Sequence, residues 1–120
     1  DMKRDFTYID DIVTGVVRVM DRTQSRDPNV FSGTEAPCKL YNIGNNNPVT
    51  LRSFIEAIEE SCDRTALKNY LPMQPGDVHA TFADIDELIA DFDFRPKVNM
   101  RRGIKQFVDW YRKYYRHSEQ

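Results

Sequence analysis

Met2-Lys3-Arg4-Asp5-Phe6-Thr7-Tyr8-Ile9-Asp10-Asp11-Ile12 is the stretch that decides how this chain is read. A cationic and acidic pair leads into an aromatic alternation of strand type, Phe6 and Tyr8 on one parity, Thr7 and Ile9 on the other. Asp10 or Asp11 then caps a helix on which Ile12, Val13, Val16, Val17 and Met20 form one apolar stripe. Strand-like and helical patterns follow so closely that the stretch reads as the middle of an α/β unit. The expectation is that these 120 residues are a piece of something longer.

Downstream, Asp21 to Pro37 is rich in Pro, Gly, Ser, Asn and Asp and lacks a sustained period, which predicts a long loop. Lys39-Leu40-Tyr41-Asn42-Ile43 reads as a buried strand, ended by Gly44 and an Asn45-Asn46-Asn47-Pro48 turn. Thr50 is an N-cap for a helix with Leu51, Phe54, Ile55, Ile58 and Cys62 on one face. Asn69 to Leu71 reads as a further short strand, and Pro72-Met73-Gln74-Pro75-Gly76-Asp77 as a rigid loop displaying Gln74 and Asp77. Asp84 with Glu87 suggests a capping box opening a short helix, and Asn99 caps a last helix carrying Ile104, Phe107, Val108, Tyr111 and Tyr115.

With 40% apolar residues the chain can close one core but hardly two. A net charge of -2 gives no field that would draw it to nucleic acid or an anionic membrane, so neither partner is expected. The charge is uneven: six acids and no Lys or Arg between Asp77 and Phe94, against six Lys or Arg and two acids from Met100 to Gln120. Two solvated faces explain this better than a nucleic-acid footprint. Cys38 and Cys62 are far apart, and His79 and His117 stand alone, so no zinc site, redox pair or catalytic triad is indicated. No apolar run reaches the ~20 residues of a membrane span, and the cytoplasm is the expected compartment.

Two loops offer polar groups on stiff frames. Arg4 beside Asp5 can act as a charge clamp for an anion, because a guanidinium presents paired donors matching phosphate oxygens; an ordinary surface Arg–Asp pair explains the same residues. Gln74 and Asp77 can bind a diol or an amide, since a carboxylate accepts from two neighbouring hydroxyls at once, or they can be turn residues only. Trp110, Tyr111, Tyr114 and Tyr115 are either a stacking platform or core and rim of a helix.

Four segments in order, Arg4 to Asp11, Tyr41-Asn42-Ile43-Gly44-Asn45, Leu71 to Val78 and Phe82-Ala83-Asp84, resemble the C-terminal part of NAD-dependent nucleotide-sugar epimerases and dehydratases, extended short-chain dehydrogenase/reductases. The Met73-to-Asp77 loop, Phe54 to Glu59 and Gly103 to Tyr111 look most like UDP-glucuronate 4-epimerase. The resemblance implies an α/β fold: residues 1–46 as one helix and one strand completing the edge of a Rossmann sheet, and 47–120 as a small substrate-binding lobe. It implies a UDP-sugar as ligand, with Arg4 matching the arginine that grips the diphosphate and Asp77 the acid that holds the ribose. Gln74 stands where several relatives carry a second phosphate-binding arginine, and His79 where a proline is usual.

The family's other signatures are absent from this sequence. The dinucleotide fingerprint needs clustered glycines at a strand–helix turn, whereas Gly15, Gly33, Gly44, Gly76 and Gly103 are far apart. No lysine follows a tyrosine by four residues, as the catalytic Tyr-x-x-x-Lys requires. The resemblance therefore implies that NAD and the catalytic residues belong to an N-terminal Rossmann lobe of the parent enzyme, with no catalytic residue and no NAD site in this chain. A partner lobe is expected over the apolar face of the first helix, and without it exposure of that face favours self-association as a homo-oligomer or disorder of the first ~45 residues. The alternatives are a stand-alone nucleotide-sugar binding or interaction module, or a fragment of a UDP-glucose 4-epimerase or dTDP-glucose 4,6-dehydratase.

Overall fold

Backbone pairing of the opening residues organises the fold. A computed structural model describes residues 2–24 and 39–115. Strand β1 (Lys3–Arg4) runs antiparallel to β2 (Val49–Thr50), with Lys3 opposite Thr50 and Arg4 opposite Val49. On its other edge β1 meets Ala80 in a parallel bridge, Lys3 N donating to His79 O at 2.9 Å and Thr81 N to Lys3 O at 3.2 Å. Two distant segments thus converge on Lys3.

Helix α1 (Ile9–Gln24) starts on the carbonyl of Tyr8, which accepts from Asp11 N and Ile12 N. Neither aspartate acts as the expected N-cap. Both lie in the first helical turn, where negative charge suits the helix dipole, and Asp11 turns its carboxylate to another segment, taken up below. The helix also runs four residues into the expected Asp21-to-Pro37 loop, because Asp21-Arg22-Thr23-Gln24 holds no Gly or Pro to stop it; the remainder of that loop lies outside the described residues.

Helix α2 (Leu51–Cys62) begins as its sequence implied: Thr50 is extended and its hydroxyl accepts from Ser53 N at 3.1 Å. It packs against α4 (Met100–Tyr115), which Asn99 caps by accepting from Arg102 N at 2.9 Å. Ala57 and Val108 are buried in this pair. Phe6 stacks on Phe54 with ring centroids 3.9 Å apart, and Tyr8 packs on Gly103, where a Cβ would come within 3.1 Å of its ring. The alternation of Phe6 and Tyr8 therefore covers α2 and α4.

Helix α3 (Asp86–Phe92) corrects the expected capping box. Asp84 Oδ1 accepts from Asp86 N two residues on, an Asx turn, and the N-cap residue is Ile85, which offers no side-chain oxygen. Leu88, Phe92 and Phe94 form a core cluster with Val19, Tyr41 and Ile43 against it, so this cluster draws on both sides of residue 46. Arg18 closes the C-terminus of α3 by donating to Phe92 O and Asp93 O, a favourable end for a cation.

The two short strands expected at Lys39–Ile43 and Asn69–Leu71 carry no ladder among the described residues. A strand needs a neighbour to receive its N–H and C=O groups, and β1 pairs with β2 and Ala80 instead. Side chains hold the first segment: Asp91 accepts from Lys39 Nζ and from Tyr41 OH, both at 2.6 Å. Lys39 holds the Asp91 carboxyl below its usual range, and partial burial, with the bond to Asp91 second, raises the Tyr41 phenol. The stripe of α1 is exposed, with Val13 at 52%, Val17 at 47% and Met20 at 53% of full accessibility. Among the described residues no helix is long and apolar enough to cross a membrane, and no group of His, Cys, Asp and Glu is arranged to hold a metal ion.

Candidate functional site

The convergence on Lys3 places Arg4 beside the Pro72-to-Asp77 loop. Arg4 Nη1 donates to Lys3 O at 2.9 Å and to Val78 O at 2.8 Å, which orients the guanidinium toward that loop. Its Nη2 lies 3.9 Å from Asp77 Oδ1 and 3.6 Å from Met2 Sδ. The ion pair is beyond hydrogen-bond distance, and the two side chains keep 24% and 43% of their surface, so solvent screening leaves it weak.

What matters chemically is what the guanidinium has left over. Both Nη1 hydrogens are spent on carbonyls; Nη2 gives one weak bond to Met2 Sδ at 3.6 Å, and among the described residues no oxygen lies within hydrogen-bond distance of it or of Nε. That edge is the fork with which arginine meets two oxygens of a phosphate. Asp77 has a matching surplus: its backbone N–H closes a turn on Gln74 O at 3.1 Å, and among the described residues its carboxylate has only the weak ion pair with Arg4. Gly76 adopts φ +90° in that turn, a conformation that glycine takes at no steric cost. Cationic fork and weakly paired carboxylate stand side by side, a pairing suited to an anion linked to a diol.

Gln74 sits on the same turn but is turned back, its Nε2 donating to Pro72 O at 3.3 Å on an exposed surface. Its amide is not directed at Arg4. His79 contributes to the platform through its carbonyl. His117 lies outside the described residues.

Asp5 is not half of a charge clamp with Arg4, as its sequence position suggested. Its carboxylate accepts from three backbone N–H groups, Asn46 at 3.1 Å, Asn47 at 3.2 Å and Ala83 at 3.3 Å. Asp11, 5% exposed, does the same elsewhere, accepting from Lys97 N and from Val98 N at 2.9 Å. Both roles escape sequence reading because the donors lie far along the chain; the nearest signal is Gly44, where a Cβ would be 2.8 Å from Asp5 Oδ2 and 2.3 Å from Ala83 Cβ.

A concavity of about 870 Å³ opens between α2, α4 and the Phe6-to-Ile9 segment, lined chiefly by Phe6, Tyr8, Phe54, Ile58, Ile104 and Phe107. Its lining is chiefly apolar, with Arg64, Asn99 and Arg112 among its polar members, so it suits a largely apolar ligand better than a diphosphate. The aromatic face of α4 continues from it: Trp110 stacks on Tyr114 at 5.3 Å, and these rings are half exposed.

No family model matches the chain. It is 46% identical over 122 residues to Protein CapI of Staphylococcus aureus, covering 96% of this chain and 36% of that protein. It is 40% identical over 124 residues to a probable UDP-glucuronate 4-epimerase of Rhizobium meliloti, covering 98% and 36%. Among solved structures, the UDP-glucuronic acid 4-epimerase of Bacillus cereus, in complex with UDP-glucuronic acid and NAD, superposes with a TM-score of 0.74 at 26% identity, covering 95% of this chain and 33% of that one. The chain thus spans about a third of the length of the curated relatives it matches.

By sequence and fold it corresponds to the C-terminal part of the nucleotide-sugar epimerases of the extended short-chain dehydrogenase/reductase class. Within that class the similarity runs to the UDP-glucuronate 4-epimerases. Among the described residues, these glycines do not fit the NAD of those enzymes. Gly15 lies inside α1 against Ile43 and Phe94, Gly103 lies inside α4 against Tyr8, and Gly44 is closed by Ala83, so none of these forms a strand-to-helix turn open to a pyrophosphate.

Proposed function

We propose that this chain supplies the nucleotide-end grip for a UDP-sugar in a UDP-glucuronate 4-epimerase, with Arg4 on the diphosphate and Asp77 on the ribose hydroxyls. The observation that carries this reading is the outer edge of the Arg4 guanidinium beside the Asp77 carboxylate, each held by the other only through a weak, solvent-screened ion pair. One group donates where a diphosphate needs donors, and the other accepts where a diol needs acceptors. Gln74 is the third contact, reached once its amide leaves Pro72 O.

Epimerisation requires the sugar to turn while its carrier stays fixed, so binding energy belongs on the nucleotide and not on the hexose. Arg4 and Asp77 fill that role in this reading. NAD and the residues that move the hydride and proton belong to an N-terminal Rossmann lobe, which also covers the Val13, Val16 and Val17 face of α1. Residues 1–46 complete the edge of that lobe, and 47–120 form the substrate lobe. The cytoplasm, where activated sugars are made, is the proposed compartment.

Isothermal titration with UDP and an epimerisation assay on UDP-glucuronate test the proposal together. Saturable but weak binding of UDP with no turnover is expected. Turnover by these 120 residues, or UDP binding that ignores Arg4→Ala and Asp77→Ala, contradicts it.

A further inference from the structure

We infer that Asp5 is a positioning residue for Arg4, an inference that rests on the reading of Arg4 as the diphosphate grip. β1 is only two residues long, and ladder bonds over such a length do not by themselves fix a register. Asp5 supplies what the ladder lacks. Its Oδ2 accepts from Asn46 N and Ala83 N and its Oδ1 from Asn47 N, while its own backbone N–H donates to Thr81 Oγ1 at 3.1 Å.

One side chain therefore ties three segments together: the strand that carries Arg4, the turn that leads into β2, and the 81–83 stretch. That stretch continues directly from Asp77 and Val78, so the anchor of Arg4 and the anchor of its acceptor loop are the same carboxylate. The fit is close. Gly44 approaches Asp5 Oδ2 so nearly that a Cβ there would stand 2.8 Å away, and Asn46 takes a φ of 54° to present its N–H. A carboxylate holding three backbone donors has little freedom to swing toward the neighbouring guanidinium, which leaves the outer edge of Arg4 open to an anion.

Asp11 provides the matched control, because it too clamps backbone N–H groups with a shielded carboxylate, but at Lys97 and Val98, away from Arg4. The experiment compares Asp5→Ala, Asp5→Asn and Asp11→Ala by melting temperature, by the Arg4 Nε–H signal in nitrogen-15 NMR without ligand, and by titration with UDP. Both alanine variants are expected to melt earlier. Asp5→Ala alone is expected to broaden or shift the Arg4 signal and to weaken UDP roughly tenfold. Asp5→Asn keeps one acceptor oxygen but turns an NH2 group toward a backbone N–H, and is expected to recover only part of that loss.

The inference fails if Asp5→Ala lowers the melting temperature while the Arg4 signal and the UDP affinity of the folded protein stay unchanged, or if Asp11→Ala moves both as much. Should Asp5→Ala not fold, Asp5→Asn decides: an Arg4 signal and UDP affinity identical to the parent overturn the inference, and an intermediate loss in both supports it. A parent chain that binds no UDP, yet whose Arg4 signal responds to Asp5 and not to Asp11, would remove the ligand reading and leave the positioning role standing.

Discussion

Arg4 Nη2 and Asp77 Oδ1 stand 3.9 Å apart, and Arg4 Nη1 also donates to the carbonyl of Val78, the residue after Asp77. The guanidinium is thus steered by backbone and left partly unspent, next to a carboxylate in the same condition. An ion pair of this exposure contributes little to stability, on the order of 0–1 kcal/mol. Its significance lies in what the two groups can still accept and donate.

Arg4→Lys should not rescue what Arg4→Ala removes. Lysine keeps the charge but loses the two-pronged fork that meets paired phosphate oxygens. Titration with UDP is expected to show both variants weaker by roughly tenfold, and the parent's affinity should fall as salt is raised through ~0.15 M. Lysine binding as well as arginine would contradict the bidentate contact.

Gln74→Arg should strengthen UDP binding by a few-fold, on the order of 1 kcal/mol. Among the described residues the exposed Gln74 amide holds only Pro72 O, so the loop surrenders one weak bond and gains a cation on the turn that carries Asp77. An unchanged or lower affinity would show that residue 74 does not face the diphosphate.

Gly44→Ala should destabilise the chain by about 1–3 kcal/mol. The added Cβ meets Ala83 Cβ at 2.3 Å and Asp5 Oδ2 at 2.8 Å, and neither neighbour is the free end of a flexible side chain. Urea denaturation of the variant checks this, and a midpoint equal to the parent's would mean that the 44–47 turn is not closed against residue 83.

The acid limb of stability should depend on Asp91. Its carboxyl is held below its ordinary value of 3.8 by hydrogen bonds from Lys39 and Tyr41. A depressed carboxylate contributes its stabilisation above the unfolded value, and that contribution disappears as pH falls through the lower folded value. Melting temperatures measured from pH 6 down to about 2 should therefore fall less steeply below roughly pH 4 in Asp91→Asn than in the parent. Parallel curves would mean the Lys39–Asp91–Tyr41 cluster does not form in solution.

How much of this was legible in the sequence follows from the range of each interaction. Thr50 and Asn99 cap their helices with bonds reaching three residues, and such bonds are readable from spacing. The stripe of α1 was equally readable, and Val13 and Val17 on it are exposed, as expected of that face without a covering lobe. Asp10, Asp11 and Asp84 misled because a carboxylate before a helix suits a cap locally, whereas Asp11 is recruited by Lys97 and Val98, and Asp84 by a two-residue turn. Lys39–Ile43 has a strand's composition, but composition cannot supply a partner strand. The meeting of Arg4 with Asp77 has no local signature; the resemblance to epimerases singled out both residues, and the β1 platform explains how they come together.

The central claim is that the nucleotide end of an activated sugar is held at Arg4 and Asp77. The most direct measurement is a nitrogen-15 NMR titration of the chain with UDP, followed residue by residue. The account predicts saturable shifts at Arg4, Asp77, Val78 and the Gln74 amide, with the α2–α4 groove unperturbed. Shifts confined to Phe54, Ile104 and Phe107 in that groove, or none at Arg4 and Asp77 at millimolar UDP, would contradict it.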